Sequence, residues 1–285
     1  MSLLSEFQLE VLSRPPGADA AECVEAIAER MIDDLEVSEG PVDLAMAASL
    51  VDIVDIHVVP GLEAAGCLIT PPGERSQIHL NASDHPRRRR FSTGHEITHT
   101  FFPGYSLQAQ YRCAPKLTPV ATMDLDIEAL CDVGGAALIL PRRLVRSRLE
   151  ALTPTLTLAE EVADEFDASL IASLHRVAGL CGQPAAVLTL EIANKPSERG
   201  TDAPPALRVR SARAYGGGWP YIPQHKSAEP GDVFERALEG EVVQERRVEL
   251  IGVTRMPIVC DVHAKLYPYR HRGELRSRVI ALLTR

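Results

Sequence analysis

The residues with the most chemistry in this 285-residue chain stand together at His95-Glu96-Ile97-Thr98-His99, inside Arg87–Thr100 (RRRRFSTGHEITHT). On an α-helix, side chains four apart share a face, so His95 and His99 can offer two imidazole nitrogens to one ion. Two neutral imidazoles at that spacing suit Zn2+, which keeps an open position when it is catalytic. Glu96 follows the first histidine, where its carboxylate can take a proton from the water such a metal activates. The pattern predicts a zinc-dependent peptide hydrolase with His95 and His99 as ligands and Glu96 as general base. An amphipathic helix with packed or solvated histidines is the competing account.

Elements on both sides must position this helix. Residues 21–36 carry apolar positions at helical spacing, and Gly40-Pro41 leads into a second helix through about Val51. Asp55–Val59, Gly66–Thr70 and Gln77–Asn81 read as short antiparallel strands, with Pro71-Pro72-Gly73 turning between the last two. His85-Pro86 opens the HEITH helix, and its run Arg87–Arg90 reads as a solvated face. A third metal ligand is expected from the next helical stretch, 125–141. There Glu128 and Asp132 stand four apart and can both face the histidines. The assignment is Glu128 on the metal and Asp132 holding the other N–H of one histidine, with Asp124 and Asp126 as rival ligands.

A helix carrying HEITH, followed about thirty residues later by a Glu-led helix ending in Ala137-Leu138-Ile139-Leu140-Pro141, resembles the ImmA/IrrE metallopeptidases. The resemblance covers roughly Val42–Pro141 and, more loosely, the region to Cys181. It implies His95, His99 and Glu128 as zinc ligands and Glu96 as base. It also implies a zincin-like domain whose sheet edge holds an extended substrate, and a helix-turn-helix repressor of a stress, mobile-element or defence operon as that substrate. This chain departs from the family at Asp132-Val133-Gly134-Gly135-Ala136-Ala137, where the usual pattern is Asn-x-Phe-Ala-Ala-Glu.

The expected architecture is α+β in three parts: a zincin-like domain over 1–150, a helix-turn-helix-like segment over 151–184, and a GAF-like sensor over 185–285. In the middle segment Thr157-Leu158-Ala159-Glu160 reads as a capping box. Its first helix is too acidic to meet DNA phosphates, so packing or substrate docking is the expected role. In the last part, Ala186–Ala193 and Leu207–Ala212 read as strands, Val233–Leu238 as a helix, Val248–Gly252 and Ile258–Leu266 as further strands, and Leu275–Leu283 as a terminal helix.

Charge divides along the same line. Residues 1–204 hold 16 Lys/Arg against 30 Asp/Glu, and residues 205–285 hold 14 against 9. The basic C-terminal part interleaves Arg208, Arg210, Lys265, Arg270 and Arg272 with aromatics, a pattern suited to single-stranded DNA as an activating signal. A GAF-like pocket for a small molecule, or a solvated basic face, would share that composition. Cys113, midway between the two ligand-bearing helices, is a candidate inhibitory zinc ligand favoured as thiolate by Arg112. Tyr105, Tyr111 or a later histidine is a candidate oxyanion donor, and no spacing rule selects among them. Six scattered cysteines, no basic-then-apolar N-terminal leader and no long apolar run predict a cytoplasmic protein with no membrane segment. A metal-dependent sensor without proteolysis and a DNA-binding regulator are the alternative function classes.

Overall fold

The structure, a computed structural model, describes residues 19–71, 75–102, 105, 123–149, 153–198, 200–271 and 274–285. They fall into two compact units. The described residues up to Ser147, with Val162–Ala172, form the first; Arg148–Glu161 and Ser173–Arg285 form the second.

The first unit begins with α1 (Ala20–Asp34), capped by the Asp19 carboxylate. Val24, Ile27, Ala28, Met31 and Ile32 make its buried stripe at helical spacing. After α2 (Leu44–Leu50) come β1 (Ile53–Val59), β2 (Gly66–Ile69) and β3 (Ser76–Asn81), in the order β1-β3-β2. The sheet is therefore mixed and not wholly antiparallel: β3 pairs parallel with β1 and antiparallel with β2. The reason is topological. The chain reverses twice between β1 and β3, and β3 then inserts between its predecessors, so it runs with the first and against the second.

The helices α3 (Pro86–His99) and α4 (Met123–Ile139) pack on each other, and α3 also lies on β2 and β3. His85 caps α3 by accepting the Arg87 N–H at 3.2 Å, and Pro86 fills the first turn, where no N–H is missed. Four arginines at a helix N-terminus oppose the macrodipole. They are only partly the expected solvated face: the Arg88 side chain is 65% exposed, those of Arg87 and Arg90 are 30% and 22% exposed, and each arginine has a partner. Arg87 pairs with Asp164 and Asp167, Arg88 with Asp84, and Arg90 with Asp167 and the Val42 carbonyl. Arg89 donates to the Asp84 carbonyl at 2.7 Å. The acids that argued against DNA binding by the later helices thus partly neutralise this helix start. After Pro141, α5 (Arg142–Leu149) returns to α1, its Arg142 guanidinium bonded to Glu22 and Glu25.

The helices α6 (Leu156–Glu165) and α7 (Leu170–Leu180) are each divided between the units. The capping box is misplaced by two residues: Thr155 Oγ1 accepts the Leu158 N–H, and Glu160 instead receives Lys265 Nζ and the Tyr267 hydroxyl.

The second unit is a five-stranded antiparallel sheet, order β5-β4-β8-β7-β6, formed by β4 (Ala185–Ala193), β5 (Ala206–Tyr215), β6 (Val243–Leu250), β7 (Ile258–His271) and β8 (Glu274–Thr284). Its short helix α8 (Val233–Leu238) buries Val233, Phe234 and Ala237 with Leu188, Val262 and Ala281. On the opposite face, the Leu156 N–H donates to His263 and Tyr215 bonds His175. The expected terminal helix is in fact the central strand β8. Val279–Leu283 is buried on both sides, so the run lacks the alternation of a surface strand and mimics a buried helix.

Candidate metal centre

His95 and His99 lie on α3 with side chains only 15% and 5% exposed. Their Nε2 atoms approach to 3.2 Å, and Glu128 on α4 brings Oε2 to 3.1 Å from His95 Nε2 and Oε1 to 3.6 Å from His99 Nε2. Tetrahedral zinc with bonds of about 2.0–2.1 Å holds its ligand atoms roughly 3.3–3.4 Å apart. The three donors therefore already stand at the separations one such ion needs.

The opposite ring nitrogens are held as well. Asp132 Oδ1 is 2.9 Å from His95 Nδ1, and Cys131 Sγ is 3.2 Å from His99 Nδ1. A donor set of His95, His99 and Cys131 also lies within 4.8 Å. The sulfur, however, faces the nitrogen that points away from His95, so it supports the ring from behind. Burial lowers the His95 pKa, but the Glu128 hydrogen bond, the charges of Glu96 and Glu128 and the Asp132 bond together leave it raised. Cys131 was not singled out in the sequence, though it stands three residues after Glu128 on the same helical face.

The helix pair reaches this geometry through glycine. A Cβ on Gly135 would meet the His95 backbone nitrogen at 2.8 Å, and one on Gly134 would meet Thr98 Cγ2 at 2.4 Å. The departure from the usual family pattern thus lets α4 approach the backbone of α3 beside the first histidine.

With this geometry in place, comparison with known proteins is decisive: residues 55–178 match the family model for the IrrE N-terminal-like domain of peptidase family M78. These residues form an M78 domain. The chain is distantly homologous to radiation response metalloprotease IrrE. It is 27% identical over 177 residues to the protein of that name from Deinococcus deserti, covering 57% of this chain and 60% of the relative. It is 29% identical over 107 residues to that of Deinococcus radiodurans, covering 36% of this chain and 30% of the relative. The chain therefore spans less than two thirds of either relative. Among solved structures, a Mycobacterium tuberculosis transcriptional regulator superposes with a TM-score of 0.58 over 92% of this chain and 75% of its own, at 14% identity, a likeness of fold alone.

In the M78 domain His95 opens on a cleft of about 870 Å³ lined by Ala64–Cys67, Phe91, Ser92, Glu96, Glu128, Asp132 and Ile171, among others, with His99 buried behind it. Glu96 is 6% exposed, and a Cβ at Gly66 on edge strand β2 would lie 3.3 Å from its Oε1. Tyr105 is half-buried. Cys113, Arg112 and Tyr111 lie outside the described residues, as do the side chains of Asp124 and Asp126.

Of the residues expected to meet nucleic acid, Arg208, Arg210 and Lys265 lie among those whose side chains are described. Arg208 is 6% exposed and bonded to Glu198, Ser227 and two carbonyls, which corrects its placement on a binding face. Lys265 is likewise committed to Glu160. Arg210 is 65% exposed, 4.0 Å from Glu191. Arg272 and the side chain of Arg270 lie outside the described residues. Among the described residues no helix is long and apolar enough to cross a membrane.

Proposed function

We propose that this protein is a cytoplasmic zinc endopeptidase that cleaves a helix-turn-helix transcriptional repressor, relieving a stress or anti-phage defence operon. The observation that carries this reading is the convergence of His95 Nε2, His99 Nε2 and the Glu128 carboxylate, with Glu96 buried in the same cleft. Zinc, when bound there, supplies Lewis-acid chemistry that acidifies water and polarises a carbonyl. Glu96 accepts the proton of the attacking water and returns it to the leaving amine nitrogen. Asp132 and Cys131 keep the two rings in their metal-facing orientation. The open edge of β2 aligns an extended substrate segment through backbone hydrogen bonds.

In the same reading the C-terminal sheet is a GAF-like sensor, supported by its five antiparallel strands and the helix α8 packed on one face. Single-stranded DNA is the proposed signal. Arg210, Arg270 and Arg272 are its contacts; Arg208 and Lys265 drop out because their charges are already paired. Cys113 is the proposed resting-state zinc ligand.

The test is to incubate the zinc-loaded protein with the helix-turn-helix repressor encoded beside its own gene, with and without single-stranded DNA. Discrete fragments that disappear with a chelator and increase with DNA are expected. An intact repressor under every condition would overturn the proposal.

A further inference from the structure

A second set of metal-ligand side chains lies on the other face of the M78 domain's small sheet. The register pairs His57 of β1 with His79 of β3, and His79 in turn with Cys67 of β2. Three adjacent strands thus carry His, His and Cys in one row across the sheet. Side-chain alternation fixes the face. Ile78, Leu80 and Leu68 are buried at 0%, 4% and 3%, and Gly66 lies against Glu96 and Ser92 of α3. His57, His79 and Cys67 alternate with these positions, which puts them in register on the other side of the sheet, although Cys67, on the edge strand, also borders the α3 cleft. Asp55, two residues before His57, shares that side and sets a carboxylate oxygen 3.5 Å from His57 Nε2.

We infer that His57, His79 and Cys67, with Asp55 beside them, form a second transition-metal site, separate from the one on α3 and α4. The imidazole rings of His57 and His79 already meet edge to face, with centroids 5.3 Å apart. Neighbouring strands lie about 4.7–4.9 Å apart, close enough for rotated imidazoles on paired positions to share one ion. The His57 side chain is 44% exposed, so its rotation displaces water and not packed neighbours.

Two imidazoles and a thiolate select Zn2+, Co2+, Ni2+ or copper over Mg2+ or Ca2+, which require oxygen ligands. The site is an open clip. Among the described residues the only three-donor group already gathered within 4.8 Å is His95, His99 and Cys131. The strand row must rotate its side chains to close, so it binds more weakly than the helical site. Closure would tie the edge strand β2 to β3 and β1, and β2 is the strand whose Gly66 borders Glu96.

This inference does not depend on proteolysis, and its test is read in metal content. Full-length protein is titrated with Zn2+ against a chromophoric chelator, and with Co2+ followed by absorption. Wild type is expected to take up two equivalents, and the His95→Ala/His99→Ala variant one. In that variant a thiolate-to-cobalt charge-transfer band should survive Cys113→Ala and Cys131→Ala but vanish with Cys67→Ala. Adding His57→Gln and His79→Gln should remove the remaining equivalent while circular dichroism shows the fold retained. No metal bound by His95→Ala/His99→Ala, or an equivalent that outlasts the loss of His57, His79 and Cys67 together, would overturn the inference.

Discussion

The first unit holds two histidine pairs in different states of readiness. His95 and His99 stand on one helix, with Nε2 atoms 3.2 Å apart, a carboxylate at 3.1 Å and a supporting group behind each ring. His57 and His79 stand on neighbouring strands, with rings in contact and the Asp55 carboxylate 3.5 Å from His57 Nε2. The first pair is held before any ion arrives; the second must be closed by one. What separates them is the surroundings. Carboxylates and a thiol enclose the buried pair, whereas the outer pair has one neighbouring carboxylate and solvent. Preorganisation is therefore the property to attack.

Removing a ligand should have the largest effect. His99→Ala is expected to weaken zinc binding at the helical site by on the order of a thousandfold or more and abolish hydrolysis, read by chelator competition and substrate cleavage. His57→Ala should leave hydrolysis near the wild-type rate. If the two variants behave alike, the contrast fails.

A third environment sharpens the comparison. His175 in the second unit faces the Tyr215 hydroxyl at 2.8 Å and the charge of Arg213; burial first, then Arg213, lowers its pKa to about 4. Its folded value lies below the unfolded value near 6.5, so the stability it contributes is present above pH 6.5 and is lost as pH falls toward 4. The loss is at most roughly 3.5 kcal/mol, about 1.4 kcal/mol per pKa unit. Denaturant unfolding across that window should show it in wild type and a flatter profile in His175→Gln. Equal slopes would place the acid sensitivity elsewhere.

Gly135→Ala tests whether helix contact creates the readiness of the first pair. The added methyl would meet backbone atoms of His95, which cannot step aside, so a loss of about 1–3 kcal/mol in unfolding free energy is expected, together with weaker zinc binding. Unchanged stability would show that α3 and α4 do not approach as closely as described. Smaller still are the supports behind the rings. Asp132→Ala should cost roughly 10–100-fold in zinc affinity, and Cys131→Ala less, since sulfur makes the weaker hydrogen bond. Affinity unchanged in both would mean the rings are held by packing alone.

The same contrast marks how far the sequence could be read. His95, Glu96, His99, Glu128 and Asp132 were legible because helical spacing alone tells which side chains share a face. Cys131 was not legible, because a thiol on a buried helical face reads in sequence as an ordinary core residue. The His57–His79 row was not legible, since it depends on β3 pairing parallel to β1, and short strands do not announce their partners. Strand β8 reads as a helix in sequence because a run buried on both sides, Val279–Leu283, has no periodicity to separate the two. Likewise, the partners of Arg87 and Arg90 lie about 75–80 residues away in sequence, at Asp164 and Asp167, beyond any local pattern.

The most direct measurement is zinc content and hydrolysis side by side in Glu96→Gln. The amide has nearly the shape of the carboxylate but cannot accept the attacking water's proton, so zinc at the His95/His99/Glu128 site should be retained. Cleavage of the repressor should fall by about 10²–10⁴-fold, the usual worth of a positioned base. A Glu96→Gln protein that holds its zinc and cuts at the wild-type rate would contradict the account.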